Sequence, residues 1–557
     1  MLKNNLFFII FLNVAFLNNA LSQWNSNTTV NTAIVTSPNT QKNISISSDT
    51  KGGAILIWED KRNGTSDDIY AQRINSAGIN KWLLNGIAVC TSTAEQNSIS
   101  SVEDGNGGVI ITWDDYRNGE ADIYAQKIDS NGVAQWTQNG IAVCSKSLAQ
   151  QGTKLVSDGL GGAIIVWQDS ITGATDIYAQ RINSAGNLMW ASGGVPICTA
   201  PLKQIRPRIQ PDNQGGAFIV WQDRRNGIDP DIYAQRINSS GNIIWVANGI
   251  VVCNAINAQS YPKLRGDGTG GIIVAWQDRR NALDADIYAQ RIDANGNILW
   301  QNNGLPVCVA ADNQEELDMT NEGLSNGVII CWTDHRSLIS NNSDIYVQKL
   351  DLTGNPQWTL NGIALTSSFL DQKNSNVVGD GTGGAIVVWQ DSIAGNEWDI
   401  KTQKLNTNGF QQWGLNGISV CNQISTQAQP GSISDGQGGC IYAWEDKRNG
   451  ITDDIYAQHS PFATTFNHEN AFVQESLNTC PMPFNFSALL KYYGNEKINF
   501  KNGILRFFDI SGSEANIKYN IQNDGYEIFK DNTPSGIYFY NLSLENKNFT
   551  GKIIICD

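Results

Sequence analysis

An aspartate stands two residues after a tryptophan at eight places in this 557-residue chain: Asp60, Asp115, Asp169, Asp223, Asp278, Asp334, Asp391 and Asp446. Arginine follows two residues later in six of them, as Arg62, Arg117, Arg225, Arg280, Arg336 and Arg448, while Ile171 and Ile393 hold that place in the other two. A further Asp follows in all eight, from Asp68 to Asp454. A guanidinium matches a carboxylate through two parallel hydrogen bonds, so six in a ring are a candidate ligand set for acidic glycans or other carboxylates. The competing reading is structural. An Asp repeated eight times caps turn amides, with the Arg bridging it to the next Asp, and repetition weighs toward this reading. Glu315 and Glu316 are a second place where chemistry is conceivable, because adjacent carboxylates can serve as acid and base. They lie in the one irregular unit, where the usual Asp-Gly-x-Gly-Gly turn becomes Asn321 to Gly327. A drifted, solvated loop is the plainer reading of that segment.

Other catalytic sets are missing their parts. The chain has three histidines, His335, His459 and His468, and no Ser-His-Asp set or paired-His zinc motif can be read from them. A sialidase-like site needs a nucleophilic Tyr beside a Glu and three non-periodic Arg, whereas Tyr70, Tyr124 and their equivalents are periodic. The Asp-Gly-x-Gly-Gly turns, such as Asp267 to Gly271, use their glycines for positive φ. No glutamate follows at a calcium-ligand spacing, and no lysine follows as in a phosphate loop. The residues imply no cofactor, no metal and no catalytic set.

These side chains are carried on a repeat. Trp58, Trp113, Trp167, Trp221, Trp276, Trp332, Trp389 and Trp444 each end an apolar run, as in GGAIIVWQD at 161–169. About ten residues on comes an Asp-Ile-Tyr-Ala-Gln strand. A second tryptophan segment then follows at Trp82, Trp136, Trp190, Trp245, Trp300, Trp358 and Trp413. Each unit divides into four strand-like pieces with turn residues every eight to twelve positions, the signature of an all-β array. The Trp-bearing run is apolar without alternation, so both of its faces are expected to be buried between copies of the sheet. Four strands repeated radially make a β-propeller. The eighth unit lacks its second-Trp segment, and Trp24 supplies one at the other end of the chain. The expectation is an eight-bladed β-propeller over 23–460, closed by an N-terminal strand that leaves no free edge. An open solenoid is the alternative.

Residues 1–22 read as a signal peptide, with Lys3, an apolar stretch from Leu6 to Leu17, and small Ala20 and Ser22 before the cleavage point. The mature chain is then exported, with no membrane span. Six cysteines are periodic: Cys90, Cys144, Cys198, Cys253, Cys308 and Cys421. Outer strands of neighbouring blades lie on the order of 15 Å apart, beyond disulfide reach, so these are expected to be buried thiols. A net charge of −15 argues against nucleic acid as a partner. Residues 461–478 read as a linker. Residues 479–557 read as a small β-sandwich flanked by Cys480 and Cys556, which could pair.

The last 80 residues carry an ordered set of short motifs: Pro483-Phe484, Phe508-Asp509 with Gly512, Ser535-Gly536-Ile537-Tyr538, and Gly551-Lys552-Ile553-Ile554. In this they resemble the C-terminal (type A) sorting domain of type IX secretion substrates from Bacteroidetes. Cys480-Pro481-Met482-Pro483 stands where that family has Asn-Pro. The resemblance implies an address read by the type IX secretion machinery, then removed or exchanged for a surface anchor, and says nothing about the cargo. The repeats resemble bacterial neuraminidase-repeat propellers in architecture. Taken together, the chain reads as a monomeric, secreted or cell-surface propeller that binds polysaccharide or protein. The alternative is a glycan-cleaving enzyme on the same scaffold, and the two are distinguished by whether non-periodic carboxylates converge on the central channel.

Overall fold

The computed structural model describes residue 24 and residues 28–460 apart from 172–173, 324–325, 337–341, 367, 369 and 394–396, then 476–480, 487–493, 500–522, 525–544 and 547–556. The expected signal peptide, most of the expected linker and Pro483-Phe484 lie outside the described residues. So does the side chain of Cys480, and with it any Cys480–Cys556 pair. The chain divides into two compact units between Ala463 and Thr464.

The first unit is all-β and propeller-like. Eight four-stranded antiparallel sheets follow one another. The first is built from Gln41–Ser48, Ala54–Asp60, Asp68–Ile74 and Ile87–Cys90. The last takes three strands from Gln427–Ser434, Cys440–Asp446 and Asp454–His459, and its fourth is Thr32–Val35, which pairs antiparallel to Asp454–His459. First strands of consecutive sheets touch one another, and Gln427–Ser434 touches Gln41–Ser48 in turn, so the first strands are innermost and their contacts form a cycle.

The apolar second strand explains the stacking. In Ala54–Asp60 every residue is buried. Ile55 and Ile57 enter a cluster with Val109, Ile111 and Trp113 of the following sheet. Ala54, Leu56 and Trp58 enter another with Ile441, Ala443 and Ile455 of the preceding one. Alternate side chains thus serve opposite neighbours, each large one contributing about 1.5–3 kcal/mol by burial. A glycine closes the packing over seven of the eight Trp rings, all but Trp444. A Cβ on Gly304, for example, would lie 2.5 Å from the Trp276 ring, and its φ is +85°. The closing segment copies the others: Trp24 Nε1 donates to the carbonyl of Ser76 (2.9 Å), as Trp82 Nε1 does to Ser130 (3.2 Å).

The periodic cysteines are buried free thiols. Cys90 Sγ lies 3.8 Å from Asp115 Oδ2 of the next sheet, and burial pushes its thiol up to about 12. Thr366 replaces cysteine in the sixth sheet, and its hydroxyl donates to Gln372 Oε1 (2.8 Å). At the other end of every sheet but the sixth an Asp-x-x-Gly-Gly turn is held internally. Asp49 Oδ1 accepts the amides of Lys51 (2.8 Å) and Gly53 (2.7 Å), and Oδ2 accepts from Arg73.

The second unit has two four-stranded sheets, which share a core that includes Leu490, Phe507, Tyr526, Tyr540 and Ile553. Its motif residues have local roles. Asp509 Oδ1 accepts the amides of Ser511 (2.8 Å) and Ser513 (3.0 Å) in a turn completed by Gly512 at φ +83°. Gly551 leaves room for the Tyr540 ring, which a Cβ would meet at 2.5 Å.

Candidate functional site

Every innermost strand opens with a buried glutamine: Gln41, Gln96, Gln150, Gln204, Gln259, Gln314, Gln372 and Gln427. Two residues on, each strand breaks register with its neighbour in a β-bulge. The residue at the break has positive φ in all eight: Asn43, Ser98, Gly152, Arg206, Tyr261, Glu316, Asn374 and Gln429, between 51° and 71°. Arg, Tyr, Glu and Gln rarely adopt this conformation, and repeated strain of this kind marks a position held for a purpose. Backbone geometry is constant around the ring while the side chain differs almost everywhere.

The bulges are locked by the preceding sheet. The residue between Trp and Asp accepts the bulge amide: Glu445 Oε1 from Asn43 (2.7 Å), Glu59 Oε1 from Ser98 (3.0 Å), Asp114 Oδ2 from Gly152 (2.9 Å), Gln168 Oε1 from Arg206 (3.2 Å) and Gln390 Oε1 from Gln429 (3.1 Å). In the sixth sheet this place holds Thr333, which is too short. Glu316 substitutes: its Oε2 accepts the Asn374 amide (3.2 Å) and the Thr333 hydroxyl (3.1 Å). Glutamine fills the acceptor role without charge at Gln168, Gln222 and Gln390. The negative charge at Glu445, Glu59 and Asp114 is therefore not demanded by the fold.

A cavity of about 950 Å³ opens here, lined by the innermost strands and Trp-x-Asp residues of the last sheet and the first four. Its lining includes Glu445, Glu59 and Asp114, then Lys154, Arg206 and Arg208, with Asn43, Ser98, Tyr116 and Gln429 between. Burial raises Glu445 to about 7 and Asp114 to about 6, and raises Glu59 against the pull of Asn43 and Lys42. Burial and the neighbouring Arg208 lower Lys154 to about 8. Non-periodic carboxylates thus do converge on the centre, in three consecutive sheets.

The six candidate arginines stand elsewhere. Arg62 donates from Nε to Asp60 Oδ1 (2.9 Å), from Nη2 to Asp60 Oδ2 (2.5 Å) and to the carbonyl of Asn85 (2.9 Å), and lies flat over Tyr70 (3.7 Å). Arg117, Arg225, Arg280, Arg336 and Arg448 pair in the same way with Asp115, Asp223, Asp278, Asp334 and Asp446. None of the six lines the cavity. The Asp does cap a turn amide, that of Arg62 (2.9 Å). The Arg does not bridge to the second Asp, because Asp68 is taken by Asn63 (3.0 Å). Where arginine is missing, a lysine from another position replaces its charge: Lys146 on Asp169 (2.6 Å) and Lys401 on Asp391 (2.6 Å). In the six arginine sheets the Trp indole also donates to this Asp, as Trp58 does at 2.6 Å. In the two lysine sheets the indoles of Trp167 and Trp389 have no partner.

Glu315 lies at the rim between the sixth and seventh sheets, with His335 Nε2 at 3.4 Å. The hydrogen bond between them lowers Glu315 and raises His335. Glu316, Asp371, Lys373 and Trp398 complete a side pocket of about 320 Å³. The two glutamates diverge in role. Glu315 faces the histidine, and Glu316 serves the bulge ring.

No family model and no curated protein matches the chain. Among solved structures, the polysaccharide lyase Uly1 aligns with a TM-score of 0.41 at 10% identity, covering 67% of this chain and 91% of its own. A PL25 ulvan lyase aligns with a TM-score of 0.39 at 10% identity, over 63% and 89%. A GH93 α-L-arabinofuranosidase of Fusarium graminearum aligns with a TM-score of 0.33 at 11% identity, over 66% and 92%. Scores of this size fall short of a shared fold.

Proposed function

We propose that this chain is an eight-bladed β-propeller that binds a polysaccharide across the mouth of its central cavity and reaches the cell surface or medium by type IX secretion. The observation that carries the binding reading is the bulge ring, in which one strained backbone conformation presents Asn43, Ser98, Arg206, Tyr261, Asn374 and Gln429 in turn. Amide, hydroxyl and guanidinium groups beside an aromatic ring suit the hydroxyl edges and apolar faces of sugars. A glycan array probed with the full chain tests it. Tyr261→Ala and Asn43→Gly should abolish the hits that the native chain gives, and an array without hits would sink the reading.

A second reading is favoured by the dispensable charge at Glu445, Glu59 and Asp114. A carboxyl that stays protonated near neutrality can protonate a glycosidic oxygen while an ionised neighbour acts as base or nucleophile. Glycan cleavage then requires Glu445. Glu445→Gln should stop release of reducing ends and leave glycan binding in place.

The export reading rests on the ordered motifs of the second unit. Truncation after Ala463 should leave the ring folded and strand it in the periplasm of a type IX-competent host. Surface display of the truncated chain would overturn it.

A further inference from the structure

The periodic arginines of this ring are ion-paired. Arg62 lies on Asp60, Arg73 on Asp49 and Arg236 on Asp212, at 2.5–2.9 Å. The innermost strands carry cations of another kind. The fifth residue of the innermost strand is Ser45 in the first sheet and Ser100 in the second, then Lys154, Arg208 and Lys263 in the next three. Lys263 reaches Asp318 (3.2 Å). Among the described residues, Lys154, Arg206 and Arg208 have no carboxylate within ion-pair distance, although all three line the central cavity. Arg208 Nη1 donates to the carbonyl of Pro207 (3.0 Å), and Arg206 stacks over Tyr261 (4.0 Å).

The arrangement works against the fold. Burial and the neighbouring Arg206 lower Arg208 below its ordinary value, so the like charges disfavour one another. Serine at Ser45 and Ser100 shows that the strand register does not require a cation. The chain as a whole carries −15, which makes a basic wall at its centre the reverse of its average surface. Asp114 and Asp318 act on Lys154 and Arg208 only from beyond ion-pair distance, and cations that the fold does not need and holds in no ion pair are complementary to an anion brought from outside.

We propose that Lys154, Arg206 and Arg208 form a subsite for an anionic substituent, a carboxylate or a sulfate ester, on the bound sugar. This rests on the binding reading above and adds the ligand's charge class. Lys154 and Arg208 lie two positions below the bulge residues of their strands, and Arg206 stands at the bulge itself. A sugar lying across the mouth would therefore direct its acidic group inward.

The test titrates the full chain with polygalacturonate, which carries carboxylates alone, with dextran sulfate, which carries sulfates alone, and with uncharged dextran. The same protein is applied to an array of neutral, uronic and sulfated glycans. Saturable binding of one charged polymer, no binding of dextran, and array hits confined to acidic glycans are expected. Which polymer binds identifies the anion. Arg208→Gln and Lys154→Gln should each weaken that binding about tenfold, the size of one lost charge-assisted hydrogen bond. The exposed Lys81→Gln should change nothing. Arg206→Gln, at the solvent-facing mouth, gives the same reading should the deeper variants fail to fold. Array hits on neutral glycans, or charged-polymer binding indifferent to Arg206→Gln and Lys154→Gln, would overturn the anionic subsite while leaving the binding function intact. Absence of binding to every polymer and every glycan would defeat the binding function itself.

Discussion

Asp391 keeps a cation although its arginine is gone. Ile393 stands in the arginine's place, and Lys401 replaces the usual tyrosine and reaches the carboxylate at 2.6 Å. The requirement is thus for positive charge on a buried Asp rather than for a free guanidinium. Lys401→Tyr alone should lower the unfolding midpoint by a few degrees, corresponding to about 2 kcal/mol for an uncompensated buried carboxylate. Adding Ile393→Arg should restore it, and calorimetry on the two variants decides the matter. A second residue-scale expectation concerns pH. Burial and the nearby Asp284 and Asp278 raise Asp286 to about 7 from an ordinary 3.8. Between those values the folded state holds a proton that the unfolded chain has released, so this group's contribution to stability falls as pH rises through the window. The melting temperature of Asp286→Asn relative to the native chain should therefore climb from pH 4 to pH 8, and a difference constant with pH would refute the assignment. The arginine pattern and the turn-capping role of its Asp were legible in the sequence, but the arginine's partner was not, since Arg62 pairs back to Asp60 and does not bridge to Asp68. The replacement for Arg in the third sheet is Lys146, 23 residues before the Asp it serves, and only the folded sheet brings the two together.

At the scale of the element, the second and third strands of every sheet were legible because composition alone marks them. A largely apolar run ending in Trp, and a partner that contains Asp-Ile and bears Tyr in seven of the eight sheets, leave few other conformations. The closing strand was legible by subtraction, since Trp24 supplies the segment that the eighth unit lacks. Deleting residues 24–36 would leave Asp454–His459 with an unpaired edge and remove the ring stacked on His459 (5.7 Å). Loss of soluble protein or a fall in the unfolding temperature is expected, and unchanged thermal unfolding would count against closure. The innermost strand was read too short. PKLRGD at 262–267 omits Gln259, Ser260 and Tyr261, where the strand begins and bulges. Positive φ is foreshadowed by residue type only at Asn43, Gly152 and Asn374. Nothing about Arg206 or Tyr261 announces it, because their amides are held by acceptors on the neighbouring sheet, Gln168 and Gln222. The centre of the candidate site was hidden for that reason. Glu59, Asp114 and Glu445 each looked like one more residue before a repeated Asp.

For the molecule as a whole, two separate cores imply two separate melting events. The sheets of 32–459 share apolar clusters only with one another, and the described part of 476–556 has its own. Scanning calorimetry of the full chain should resolve two transitions, the larger of which survives unchanged in a chain ending at residue 463; a single cooperative transition would mean that the units depend on each other. The bulge ring also bears on how such a molecule changes over generations. Its side chains lie outside the clusters that hold the sheets together, and the backbone there is already twisted into a shape that glycine, asparagine, arginine and tyrosine all accept. Leaving aside Glu316, which holds the Asn374 amide, and Gly152, whose Cβ would meet Gln168, a mutation at one of these points alters what the mouth can grip while leaving the clusters beneath untouched. Stability and specificity are therefore inherited on different residues, and a lineage can retune its ligand one position at a time without rebuilding the scaffold.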